Sequence, residues 1–402
     1  MKPFSNRIAL GFAQIGHTYT HLLTLLYPTV VLAIEPEFGM SYGELLLLMT
    51  LGNLLFGLGS PAAGWLGDKW STPGMMVLFF VGMGLGCIAT GAASSPFGLT
   101  GGLALLGLAA SIYHPVGMAW LVRNAENRGR ALGVNGVFGS VGFASAGLLA
   151  GWLTELINWR AAFFIPGAVS VATGLGLLVL WRLGWIGEAR VDRKPEPPPQ
   201  RDAVIRAFIV LSVTMLCTGL IYHAFAAGMP KLFAEHIPAV TGGTPAGAGT
   251  LVSLVFFAAM AAQLAGGHLA DKFSLKRSYV LIYFVQVPLL LITAGLSGVP
   301  LFAVLGSAVL LATLSVPVEN SLLAKFSPAN WRGTLFGVKF LLSAGVSAAA
   351  VPLVALVRDR SGDFYWLFIL LAAFSAIAAL AALALPREEP DAVTPVAAGG
   401  KA

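Results

Sequence analysis

Histidine both titrates near neutral pH and ligates metals, and four of the six histidines in this chain, His17, His21, His114 and His223, stand well inside apolar runs. Gln14, His17, His21 and Thr24 are spaced i, i+3, i+7 and i+10, which places them on one helix face. His114 sits in "SIYHPVGMAW", flanked by Tyr113 and Pro115 and followed by Met118. The i, i+4 pairs His17/His21 and His114/Met118 can each present two ligands, and such donors suit copper or other transition metals. Glu319 is the one carboxylate and Lys339 the one primary amine deep in apolar sequence. Paired, they offer a second chemistry: Lys339 attracts an anion while Glu319, or a histidine such as His114, takes up a proton. Asn135, Tyr222 and His223 add polar groups to the candidate binding set.

These groups need a membrane scaffold. Hydrophobic residues make up 57% of the 402-residue chain and charged residues only 10%, far below the roughly 25% charged content of soluble domains. The apolar residues fall into twelve stretches long enough to cross about 30 Å of hydrocarbon: 8–34, 42–66, 74–93, 98–122, 131–154, 160–182, 204–234, 246–270, 278–297, 300–324, 334–357 and 364–385. The expected fold is an all-α integral membrane protein of twelve transmembrane helices. The first stretch carries polar residues and lacks a small-residue cleavage pattern, so a retained helix is expected rather than a signal peptide. Cys87 and Cys217 are far apart, with no CxxC spacing.

Charge gives the orientation. If the ends and the even-numbered connections share one side, that side holds 19 of the 24 Lys and Arg, and the odd connections hold four, Arg160, Lys231, Arg358 and Arg360. The positive-inside bias then sets both termini in the cytoplasm. The net charge of +6 is a topology signal and not a nucleic-acid footprint.

At about 1.5 Å per residue, His17, ten residues from Arg7, and His114, nine from Arg123, lie at one level near mid-bilayer. Glu319 and Lys339 are six and seven residues from the charges that flank them. They share a depth nearer the cytoplasm.

The chain reads as two halves. A six-span bundle, 1–186, is followed by "GEARVDRKPEPPPQRDA", an extended linker at 187–203, and a second bundle at 204–386; the tail 387–402 is expected to be disordered. "GWLGDKWSTP" after span two is echoed by "GHLADKFSLKR" after span eight, which offsets Asp68 and Asp271 by 203 residues; Arg128 and Arg332 repeat at an offset of 204. Such parallel repeats put a substrate site near the midplane between the halves. Asp68, Lys69, Arg128, Asp271, Lys272 and Arg332 are expected to form a gating latch on the cytoplasmic face, where an Asp can accept from the N–H groups at a neighbouring helix end.

The repeated G-x-L-x-D-K pattern resembles that of the major facilitator superfamily over essentially the whole chain, which implies a secondary transporter working by alternating access. The first copy, "DKWSTPG", lacks the second basic cluster usual there. Glycines 133, 136, 139, 142, 147 and 151 of span five allow close helix approach and resemble the glycine-rich fifth span of the superfamily's proton-coupled exporters. Gly16-His17 in span one and Tyr113-His114-Pro115 in span four resemble the fosmidomycin-resistance branch. Where that branch commonly has acidic residues, this chain has His21 and Val116.

No HExxH, nucleophile elbow or phosphate-cradling GxxxxGK[ST] occurs, so neither an enzyme nor an ATP-driven pump is expected. The expectation is a monomeric, cofactor-free transporter of a bacterial-type inner membrane, exporting a small organic anion or drug against proton entry. Two alternatives stay open: a copper or zinc transporter using His17, His21, His114 and Met118, and an importer of a small organic solute.

Overall fold

The computed structural model describes residues 5–126, 128–186, 201–327 and 332–386, and every regular element among them is helical. In the first half, span one is α1 (Ser5–Thr24) with α2 (Leu26–Phe38), and span two is α3 (Tyr42–Leu47) with α4 (Thr50–Lys69). Span three is α5 (Thr72–Gly91). Span four joins α6 (Pro96–Ala110), a π-helical turn (Tyr113–Gly117) and α7 (Met118–Asn124), and spans five and six are α8 (Arg128–Leu156) and α9 (Ala161–Arg182). In the second half, α10 (Arg201–His236) is span seven and the short α11 (Pro238–Thr241) leads into span eight, α12 (Pro245–Lys272). Spans nine to twelve are α13 (Leu275–Thr293), α14 (Gly298–Phe326), α15 (Arg332–Ser361) and α16 (Tyr365–Leu383).

Ten of these rods are long and apolar enough to cross a membrane by themselves. The broken α1–α2 rod and α15 complete the expected twelve. With so few charges to mark helix ends, hydroxyl caps do the work: Ser71, Ser95, Thr244 and Ser274 each accept from the backbone N–H three residues on, and Ser41 and Glu44 form a reciprocal capping box.

Three expected spans are interrupted, and the sequence supplies the reason for two of them. Pro28 has no N–H to give the Thr24 carbonyl, and α1 stops at Thr24, whose hydroxyl donates back to the Thr20 carbonyl at 2.7 Å. Pro115 likewise withdraws a donor from the Ser111 carbonyl; the Ser60 hydroxyl of α4 donates there instead, at 3.2 Å. The turn widens, and the Met118 N–H reaches the Tyr113 carbonyl five residues back. Span two breaks at Leu48 and Met49, whose N–H groups make shorter i−3 bonds to Leu45 and Leu46.

One boundary moves. Arg201, Asp202 and Ala203, expected in the linker, begin α10, where Asp202 complements the positive end of the helix dipole. Residues 187–200 of the linker and the tail 387–402 lie outside the described residues.

The halves meet along two seams, α8 against α12 and α3–α4 against α15. At the first, a Cβ on Gly249 would lie 2.1 Å from the Gly147 carbonyl, an approach only small residues allow. One apolar core runs through the first half and on into Ile221–Ile237, Leu251–Ala259, Leu290–Ala312 and Val351–Ala372 of the second. A separate core, including Leu211, Tyr279, Leu322 and Ala382, holds the end of the second half nearest the chain termini. The core is thus shared between the halves on the face opposite the termini, hereafter the far face, and divided on the terminal face.

Candidate functional site

The expected histidine face exists. The ring nitrogens of His17, His21 and His114 lie within 4.8 Å of one another. His17 Nε2 is 3.2 Å from His21 Nε2, and His17 Nδ1 is 2.7 Å from the backbone carbonyl of Asn135 on α8. Both His17 and His21 keep partial exposure, whereas His114 is buried. The rings are held by aromatic walls: Tyr113 stacks on His17 with centroids 5.0 Å apart, Phe56 on His114 at 5.9 Å, and Phe143 leans on His21 at 4.2 Å.

The widened turn of span four places these groups. It presents Tyr113 and His114 side by side, and the Tyr113 hydroxyl lies 2.8 Å from both the Ala13 carbonyl and Asn135 Oδ1. Asn135 Nδ2 donates to Met118 Sδ at 3.0 Å, so Asn135 binds α1, the π turn and α7 together. The Thr18 hydroxyl donates to the Phe138 carbonyl at 2.8 Å. The span-five glycines make this approach feasible: a Cβ on Gly139 would sit 2.5 Å from the His17 ring, and one on Gly142 would sit 2.4 Å from the Thr18 carbonyl.

The cluster faces the second half. Phe143 meets Tyr222 of α10 at 5.0 Å and Phe256 of α12 at 5.4 Å, and the His223 ring lies edge-on to Tyr222 with centroids 6.3 Å apart. Gln14, one turn before His17, is half-buried.

Lys339 is held by partners of its own half. Its Nζ is 2.6 Å from Glu319 Oε1 and 2.6 Å from Asn320 Oδ1, with both members of the ion pair under a tenth exposed. The Tyr279 hydroxyl donates to Glu319 Oε2 at 2.5 Å and lies 3.1 Å from Thr214 Oγ1, while Tyr283 donates to Ser315 Oγ at 2.6 Å. Side chains from α10, α13, α14 and α15 therefore converge on one buried ion pair. The two candidate binding groups form two centres, one in each half.

The residues expected to latch the cytoplasmic face of one conformation do not meet in this structure. Asp68, Lys69, Asp271 and Lys272 are exposed, and the described partner of Asp68 is Arg123 of its own half, at 4.0 Å. Among the described residues none of the four bridges the halves, because the core is divided on this face. The side chains of Arg128 and Arg332 lie outside the described residues.

A set the sequence reading missed joins the far face instead. Lys231 Nζ is 2.5 Å from Glu35 Oε1 and 3.7 Å from Glu235, Arg358 binds Glu235 at 2.5 Å, and Asp359 accepts from Ser41 and Gly43. The Tyr42 hydroxyl adds a bond to the Ala227 carbonyl at 3.0 Å. Nearer mid-span, Ser140 of α8 donates to Gln263 Oε1 of α12 at 2.5 Å. The signal was present in the charged connections "EPEFG" and "RDRSGD".

The sequence profile of the Major Facilitator Superfamily matches residues 19–237 and again 211–401. The puromycin resistance protein of Streptomyces alboniger is 32% identical over 180 residues, a match covering 42% of this chain and 36% of that protein. The chain thus aligns with little more than a third of that relative's length. Among solved structures, a bacterial homologue of the human lysosomal transporter Spinster, inward-facing and occupied, is similar over 96% of this chain and 95% of its own, with 14% identity and a TM-score of 0.71. A point mutant of the peptide transporter POT in complex with sulfate is similar over 94% and 93%, with 16% identity and a TM-score of 0.73. At such identities the likeness shows the fold.

Proposed function

Because the chain belongs to the major facilitator superfamily, and is thus a multi-pass membrane transporter and not an enzyme, we propose that it exports a small organic anion or drug by proton-coupled alternating access. The observation that carries this reading is the Glu319–Lys339 pair, 2.6 Å long and almost wholly buried among α10, α13, α14 and α15. A buried ion pair is poor at stabilising a fold, since apolar residues of similar volume do as well or better. Its presence at membrane depth therefore asks for another use.

Proton uptake by Glu319 supplies one. The neutral acid no longer compensates Lys339, whose ammonium then seeks an anion or water, and Tyr279 and Asn320 hold the two partners ready to re-form. The pair is a two-state element that both proton and substrate can bias. Gln14, His17, His21, Tyr113, His114, Asn135, Tyr222 and His223 form the facing wall for the substrate, with Lys339 attracting its charge once released.

The rocking bodies are the two bundles, whose described residues lie within 5–186 and 201–386. In this reading the protein is a monomer of a bacterial-type inner membrane with both termini cytoplasmic, as the Lys and Arg distribution favours. Closure by ion pairs on the far face, with exposed Asp68 and Asp271 on the other, then corresponds to an inward-facing state. The export direction rests on the resistance named for the Streptomyces relative.

The test is expression in an efflux-deficient bacterium and a susceptibility panel headed by puromycin and fosmidomycin, the second chosen for the Gly16-His17 and Tyr113-His114-Pro115 resemblance. Reduced susceptibility to at least one compound, lost on Glu319→Gln, supports the reading. Unchanged susceptibility across the panel, with the protein present in the membrane, contradicts it.

A further inference from the structure

We infer that His17, His21 and His114 form a site for one divalent transition-metal ion of the zinc class, with an open coordination position for an anionic oxygen of the substrate. The inference deepens the transport reading above by naming the substrate class.

The arrangement of His17 comes first. A carbonyl oxygen can only accept, so the contact of His17 Nδ1 with the Asn135 carbonyl at 2.7 Å puts the ring proton on Nδ1 and the free lone pair on Nε2. Metal-ligating histidines are oriented in this way by a backbone carbonyl or carboxylate behind them. The Nε2 lone pair points at His21 Nε2, 3.2 Å away. Two nitrogens on a tetrahedral zinc, each bound at 2.0–2.1 Å, are about 3.3 Å apart. The observed spacing is that of two ligands on one ion.

Without metal, the His21 Nε2 proton fills the gap between the two rings. On binding, His21 moves this proton to its own Nδ1, and both Nε2 lone pairs face the ion with no net proton change. The third ring nitrogen, from His114, lies within 4.8 Å of the other two. That is at most about 1.5 Å beyond tetrahedral spacing.

Charge then defines the fourth ligand. Three neutral imidazoles leave the ion with both of its charges, no carboxylate joins the cluster among the described residues, and an uncompensated charge at membrane depth is costly. Sites with three protein ligands keep the fourth position for water or substrate. The partial exposure of His17 and His21 leaves that position approachable, and Phe56, Phe143 and Tyr113 make the surrounding wall. The ligand that fits is an organic anion with an oxygen donor, carried with the ion or held by it.

The experiment uses the full chain, purified, chelator-stripped and reconstituted in lipid nanodiscs. Titration with Co2+ should give an intense visible absorption band, characteristic of four-coordinate nitrogen ligation, that saturates at one equivalent and is displaced by Zn2+. Added acetate should then shift the band. A tenfold or greater loss of Co2+ affinity is expected for His17→Ala, His21→Ala and His114→Ala, and no change for His268→Ala, an exposed histidine of α12 outside the cluster. A flat titration of the wild-type protein overturns the site, as does binding that survives all three variants; this wild-type readout does not depend on any variant folding. A band indifferent to acetate overturns the open position. Drug efflux that requires Glu319 while Co2+ fails to bind would remove the metal site and leave the transport reading in place, and the reverse outcome would do the opposite.

Discussion

Asp359, at the end of α15, reaches across to the first turn of α3, where its Oδ1 accepts the Gly43 N–H at 3.1 Å and its Oδ2 accepts the Ser41 hydroxyl at 2.7 Å. A Cβ on Gly43 would lie 2.3 Å from that carboxylate, so a larger residue there would push the Asp359 side chain out of this position. The halves are therefore pinned together on the far face by a bond between spans two and eleven.

Asp359→Ala should loosen that face. Loss of charge-assisted hydrogen bonds costs about 1.5–3 kcal/mol, enough to shift a two-state balance by roughly tenfold or more. In a background lacking Cys87 and Cys217, maleimide labelling of Ala227→Cys should speed up accordingly. Labelling at the parental rate would show that Asp359 does not hold the face closed.

The buried pair makes a prediction that a purely structural role does not share. Glu319→Gln or Lys339→Met alone should each destabilise the protein by about 3–5 kcal/mol, because each strands a buried partner. The double variant should recover most of that loss in a thermal-unfolding assay and still fail to transport. A transport-competent double variant would make the pair structural.

Tyr113→Phe removes the donor facing the Ala13 carbonyl and Asn135 Oδ1. Leaving a buried acceptor unpaired costs about 1–3 kcal/mol, and Asn135 also positions His17. Thermal unfolding should drop and Co2+ affinity should fall with it; an unchanged unfolding temperature would show that the Tyr113 hydroxyl is dispensable.

Gly142→Ala should be destabilising by about 1–3 kcal/mol, since the new methyl meets the Thr18 carbonyl at 2.4 Å. Gly133→Ala, with nothing within 4 Å of the added carbon, should be neutral or slightly stabilising. Equal unfolding temperatures for the two variants would contradict the packing assigned to α8.

The twelve rods were legible because each must hide its own backbone in hydrocarbon, which long apolar runs announce. The shared face of His17 and His21 followed from helical spacing, and their meeting with His114 followed from depth along two spans. The Thr24 break was within reach, since Pro28 lies four residues on. Other features depend on partners distant in sequence. Asp359 meets Gly43 and Glu35 meets Lys231 only because the halves close on one face, and which face closes is a property of the conformation rather than of any local motif. Tyr279 and Tyr283, spaced i, i+4 in span nine, carried a readable hint of the polar shell around Glu319. Their targets are set by how α13 packs on α14.

Coupling at Glu319 is tested most directly in proteoliposomes carrying the drug identified by the susceptibility panel. The wild-type protein should accumulate it under an imposed pH gradient and also exchange it in counterflow without one. Glu319→Gln should keep counterflow and lose the gradient-driven accumulation. Accumulation by Glu319→Gln at the wild-type level would show that the proton does not act through this residue.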